Sequence, residues 1–85
     1  MKKVLIVDDE ESIVTLLKYN LEKEGYETDI AYDGETALKK AEEERFTVIL
    51  LDLMLPKMDG FEVCKNLRQN KNYTPIIMLT AKDEL

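Results

Sequence analysis

The chain has 85 residues, 45% of them hydrophobic and 35% charged, with three glycines and two prolines. That is the composition of one ordinary globular unit, near the size where a single core just outweighs conformational entropy, and it excludes a disordered or fibrous chain. The net charge of −6, from 18 acids against 12 bases, argues against direct contact with nucleic acid, which needs a basic face to displace phosphate counterions.

Short apolar runs alternate with stretches of helical periodicity, which predicts a parallel sheet built from βα units. The first strand is read at Lys3–Val7. After it, Ile13, Leu16, Leu17, Asn20, Leu21 and Glu24 fall along one side of a helix that Gly25 ends as its C′ residue, with Val14 at the edge of the stripe and open to solvent. Glu27–Ala31 alternates, as an edge strand does. Asp33 caps a second helix that buries Ala37, Leu38 and Ala41 and runs to about Glu44. The third strand, 47–51, is apolar throughout, as expected of a central strand covered on both faces, and it ends at Asp52. A loop over 53–58 leads to Asp59 and Glu62, a capping pair for a third helix that buries Phe61, Cys64 and Leu67. Residues 69–74 form a loop, Pro75 suits a strand's first position, and a fourth strand over 76–79 ends at Thr80.

The lone Cys64 cannot form an internal disulfide and is read as structural. No apolar signal region follows Met1, and the longest apolar run, 48–51, is too short for a bilayer, so a cytoplasmic protein without membrane contact is expected. The last four residues spell a retention signal that nothing here would cause to be read.

Asp8 and Asp9 follow the first strand, Asp52 the third and Thr80 the fourth, at the sheet edge where open α/β folds bind ligands. If strands one and three are neighbours, as in the order 2-1-3-4, the three carboxylates share one pocket. Their mutual repulsion is tolerable at neutral pH mainly when a hard divalent cation offsets it. Mg²⁺ suits such a pocket, since it takes a few carboxylate oxygens and completes its octahedron with water and phosphate. Asp52 is the best placed of the three to attack phosphorus and give an acyl phosphate.

Val7-Asp8-Asp9-Glu10, Leu51-Asp52-Leu53-Met54-Leu55-Pro56, Met58-Asp59-Gly60 and Leu79-Thr80-Ala81-Lys82 are similar, in order and spacing, to the signatures of response-regulator receiver domains. Residues 11–22 and 54–82 resemble the OmpR/PhoB family of transcription regulators in particular, and within it the phosphate-responsive PhoP type. The resemblance implies a truncated flavodoxin-like (CheY-like) α/β sandwich with sheet order 2-1-3-4, the whole of 1–85 being a partial receiver domain of a two-component system. It further implies that Asp52 is the phosphoacceptor, that Asp9, Asp52 and the backbone carbonyl of Met54 bind Mg²⁺, and that Asp8 acts through a metal-bound water. Thr80 matches the switch hydroxyl and Ala81 the small residue that leaves room for phosphate. A sensor histidine kinase is the implied partner, and Val14 is a candidate docking position for it.

The family's lysine at the end of a fifth strand has no counterpart, and neither Lys57 nor Lys82 is assigned its role. The fifth strand and fifth helix and an effector DNA-binding domain also lie outside this sequence. The isolated segment is accordingly expected to be unstable, a homodimer or a strand-swapped oligomer, and a phosphorylation-incompetent assembly unit is one alternative reading. A phosphatase of the haloacid dehalogenase type would need a second carboxylate two residues after the nucleophile, where Met54 stands. A flavin or nucleotide site would need a Gly- or Ser/Thr-rich loop where Asp8, Asp9, Glu10 and Glu11 stand.

Overall fold

Four strands pair in parallel in the order β2-β1-β3-β4 in a computed structural model that describes residues 2–79. β1 (Lys3–Val7), β2 (Glu27–Ala31), β3 (Val48–Asp52) and β4 (Ile76–Leu79) alternate with α1 (Glu11–Lys23), α2 (Gly34–Glu43) and α3 (Gly60–Gln69).

Register divides the apolar side chains between two layers. Leu5, Ile49 and Ile76 are aligned across the sheet, as are Val7, Leu51 and Met78. They pack with Ala37 and Ala41 of α2 and Val63 and Leu67 of α3. Ile6, Leu50 and Ile77 line up on the opposite face. There Val14, Leu17 and Leu21 of α1 cover Val4, Ile6 and Ile30. Removing a side chain of this size from water stabilises the fold by about 1.5–3 kcal/mol, so the two layers together hold the sheet. α1 does not reach the end of its face: Ile77, on the outer strand, is 54% exposed.

Three expectations are corrected. β3 lies one residue later than 47–51, because the ladder with β4 extends through the Asp52–Leu79 pair. Val14 is buried at 1% exposure and Leu16 stands 60% exposed, so α1 is rotated from its expected phase and Val14 cannot serve as an open docking position. In α3 the buried side chains are Val63 and Leu67, four residues apart on one face, whereas Phe61 in the first turn is 66% exposed. Cys64 is half-buried.

Two helices end in the same way. At α1 the amide of Tyr26 donates to the Leu21 carbonyl and that of Gly25 to Glu22, with Gly25 at φ +96°. At α3 the amide of Asn72 donates to Leu67 and that of Lys71 to Arg68. Both are Schellman turns, but the left-handed position of the second is filled by Lys71 at φ +62°. Lys71→Gly is expected to raise stability by roughly 0.5–1 kcal/mol, since the Cβ strain relieved exceeds the added chain entropy at a left-handed site. A denaturant melt checks it, and a shift to lower midpoint would count against this reading.

β2 is an edge, and its edge is occupied. The Ala31 carbonyl accepts from Asp8 and the Glu27 amide donates to Lys2, so the odd residues of β2 face β1 and Ile30 faces outward. The Ile30 amide donates to Asp29 Oδ1 at 2.8 Å, and the Ile30 carbonyl accepts from Lys40 Nζ at 2.8 Å. Lys40 and Asp29 are themselves paired at 2.8 Å. Burial alone would raise the Asp29 carboxyl, but the Lys40 ammonium and the Ile30 amide hold it below the usual range. Among the described residues no helix is long and apolar enough to cross a membrane.

Candidate metal and phosphoryl site

The carboxyl ends of β1 and β3 are adjacent because those strands pair directly. Asp8 continues β1, its amide donating to the Ala31 carbonyl at 3.2 Å, and its Oδ1 accepts from the Glu10 amide at 2.9 Å. Asp52 closes β3 and repeats the device: its Oδ1 accepts from the Met54 amide at 3.1 Å. Aspartate side chains commonly turn a chain this way, by bonding the backbone two residues on. Each strand-end aspartate thus commits one oxygen to its own loop.

Asp8, Asp9 and Asp52 each bring a carboxylate oxygen within 4.8 Å of the others. Asp8 is buried at 3% exposure, Asp52 is half-buried and Asp9 is exposed. Burial pushes the Asp8 carboxyl above the usual carboxylate range, and the charges of Asp52, Asp9 and Glu10 push it further, against the opposing bond from the Glu10 amide. None of the three ion pairs among the described residues reaches this cluster. A buried carboxyl with raised proton affinity, two acidic neighbours and no cationic partner among the described residues fits a hard divalent cation.

The loop after β3 is held from beneath by the start of α3. The Gly60 amide donates to the Leu53 carbonyl at 3.0 Å, and a Cβ on Gly60 would lie 2.6 Å from the Asp52 carbonyl oxygen. Asp59 caps the helix through its Oδ1, which accepts from the Glu62 amide at 2.9 Å. In the sequence Gly60 stands out only as part of the Met58-Asp59-Gly60 signature, with no site role attached. The available signal was a glycine at a helix's first position, where propensity disfavours it. Beside the acids, Leu53, Leu55, Pro56 and the exposed side chains of Met54 and Phe61 line a shallow apolar groove. Leu55 also reaches down into the core, and Met58 packs against it. Thr80 and Ala81 lie outside the described residues. A wider depression at the opposite end of the sheet carries none of the three aspartates, and its Asn70 and Asn72 amides are spent on Glu42 and the Ala41 carbonyl.

A parallel 2-1-3-4 sheet with acids clustered at the ends of its two central strands is the architecture of a signal receiver. The chain belongs to the response regulator receiver domain family, which it matches over residues 4–85. It is 69% identical over 83 residues to the alkaline phosphatase synthesis transcriptional regulatory protein PhoP of Bacillus subtilis, covering 98% of this chain and 35% of that protein. Response regulator ArlR of Staphylococcus saprophyticus is 48% identical, with 99% of this chain and 38% of ArlR covered. The chain therefore spans little more than a third of the length of these relatives. Among solved structures, response regulator TrrA of Thermotoga maritima, in complex with Mg²⁺-BeF, superposes with a TM-score of 0.90 at 44% identity, over 98% of this chain and 72% of that one. The receiver domain of sensor histidine kinase PA1611 of Pseudomonas aeruginosa, which has a magnesium ion coordinated in its active site cleft, superposes at 0.89 with 34% identity, over 95% and 68%.

Proposed function

We propose that this chain is the phosphoacceptor module of a cytoplasmic two-component system, taking a phosphoryl group on Asp52 from a sensor histidine kinase and controlling a transcription output in a longer parent protein. The observation that carries the reading is the meeting of Asp8, Asp9 and Asp52 within 4.8 Å at the ends of β1 and β3. Asp9, Asp52 and the Met54 carbonyl would hold Mg²⁺ directly, and Asp8 would hold it through water. The bound ion supplies neutralisation of the charge that gathers when a carboxylate meets a phosphoryl group.

The chain's own residues do the remaining work. The Met54 amide fixes one Asp52 oxygen and so sets the direction of the other. An Asp52 oxygen forms the new P–O bond as the P–N bond to the donor histidine breaks, and the electron pair returns to the imidazole. Thr80 would then offer its hydroxyl to the phosphoryl group, and Ala81 would leave space for it. The exposed apolar rim at Met54 and Phe61 gives the donor protein a surface beside the acids. With a net charge of −6 the segment leaves nucleic-acid contact to another domain of the parent.

The test is intact mass after incubation with a small phosphodonor. A single phosphoryl adduct that requires Mg²⁺ is expected. An adduct formed equally well in chelator, or none in a longer form that carries the rest of the domain, would overturn the proposal.

A further inference from the structure

We infer that Gly60 is a positioning residue for this centre: its bare Cα lets the first turn of α3 lock the backbone of 52–54, from which Asp52 and the Met54 carbonyl project. The inference rests on the roles proposed above for those two residues. Four backbone groups in that stretch are accounted for. The Asp52 carbonyl lies under Gly60, where an added Cβ would stand 2.6 Å from its oxygen, 3.2 Å from its carbon and 2.9 Å from the Leu53 Cα. The Leu53 carbonyl accepts from the Gly60 amide at 3.0 Å. The Met54 amide donates to Asp52 Oδ1 at 3.1 Å. Leu53 is tied on its other side to β4, its amide donating to the Leu79 carbonyl at 3.4 Å.

None of these partners can give way cheaply, because the atoms that a Cβ would strike are backbone atoms at the end of the central strand. Any methyl at residue 60 must push α3 away or move the Asp52 carbonyl. Both outcomes displace the loop that presents the Met54 carbonyl. Metal and phosphoryl sites tolerate only about 0.5 Å of such displacement before they weaken. Gly34 supplies an internal control. It too begins a helix after a capping aspartate and is tightly packed, but a Cβ there would meet Val63 Cγ2 at 2.9 Å and the Cβ and carbonyl oxygen of Met58 at 3.0 Å, at the far end of the loop from Asp52, and none of the atoms of 52–54.

The experiment is calorimetric titration of Mg²⁺ into the wild type, Gly60→Ala and Gly34→Ala, with thermal melts of each. Both variants should melt earlier. Gly60→Ala should bind Mg²⁺ about tenfold to a hundredfold more weakly, the range seen when groups supporting a metal's ligands are disturbed, while Gly34→Ala keeps the wild-type affinity. Equal affinity in Gly60→Ala, or an equal loss in Gly34→Ala, would overturn the inference and leave the reading of Asp52 standing. A wild type that neither binds Mg²⁺ nor takes up phosphoryl would overturn both.

Should Gly60→Ala not fold, amide exchange in the wild type decides. Coupling between two sites is reciprocal, so saturating Mg²⁺ should slow exchange at the Gly60 amide by about tenfold. Unchanged protection at Gly60 would overturn the inference.

Discussion

Asp52→Asn is expected to abolish phosphoryl uptake while leaving the fold intact. Asparagine keeps the side-chain oxygen that accepts from the Met54 amide, so the strand-end turn survives. It lacks the second anionic oxygen, and with it the nucleophile. The amide nitrogen cannot replace a carboxylate in forming an acyl phosphate, so the loss should be by orders of magnitude and not by a modest factor. Removing one charge from the cluster should also relieve repulsion on Asp8, so the variant should melt no earlier than the wild type without metal. Intact mass and thermal unfolding on the same sample read both effects. Persistence of the adduct in Asp52→Asn would place the nucleophile elsewhere.

Asp8→Asn should give a more stable protein that holds its metal poorly. In the folded chain the Asp8 carboxyl is raised, first by burial and then by its acidic neighbours. A raised carboxyl contributes stability while it is protonated, and that contribution is lost as pH rises through its folded value. At neutral pH without metal, the buried ionised group is therefore a net penalty, which asparagine removes. The stability gain should be largest near neutrality and should shrink as the solution is acidified. Mg²⁺ reverses the balance, because the negative charge that is costly in its absence is what the cation requires. Mg²⁺ affinity should fall about tenfold to a hundredfold, as for other groups that act on a metal through an intermediary. Melting curves in chelator and in excess Mg²⁺, across acidic to neutral pH, separate the two effects. Asp8→Asn melting earlier than wild type in chelator at neutral pH would sink the prediction.

The acidic cluster was legible in the sequence because it depends on few tertiary details. Apolar runs fix where β1 and β3 end, and whichever residues follow must emerge at the binding edge. The ends of β1 and β2 and the caps at Asp33 and Asp59 were legible for the same reason, being set by local chemistry. Helix faces were harder. α1 carries Ile13, Val14, Leu16, Leu17 and Leu21, enough apolar residues to support two phases, and only packing against Val4 and Ile6 selects the one with Val14 inward. Phe61 was misplaced because large aromatic side chains are usually buried, yet it sits in the first turn of α3, beyond the core that begins at Val63. Gly60 illustrates a third limit. Its contact with the Asp52 carbonyl joins segments that meet only in the folded chain, so no local pattern reports the distance between them.

The ion pair along β2 gives the two sides of the sheet different behaviour toward a neighbouring molecule. A stray strand approaching Ile30 would have to strip away both Asp29 and Lys40 before it found a free amide or carbonyl, and would leave two charges stranded in the new interface. β4 shows no such guard among the described residues and carries the exposed Ile77. The two margins of the described sheet therefore differ in character: the β2 margin is insulated against an added strand, and the β4 margin beside Asp52 carries no such insulation among the described residues.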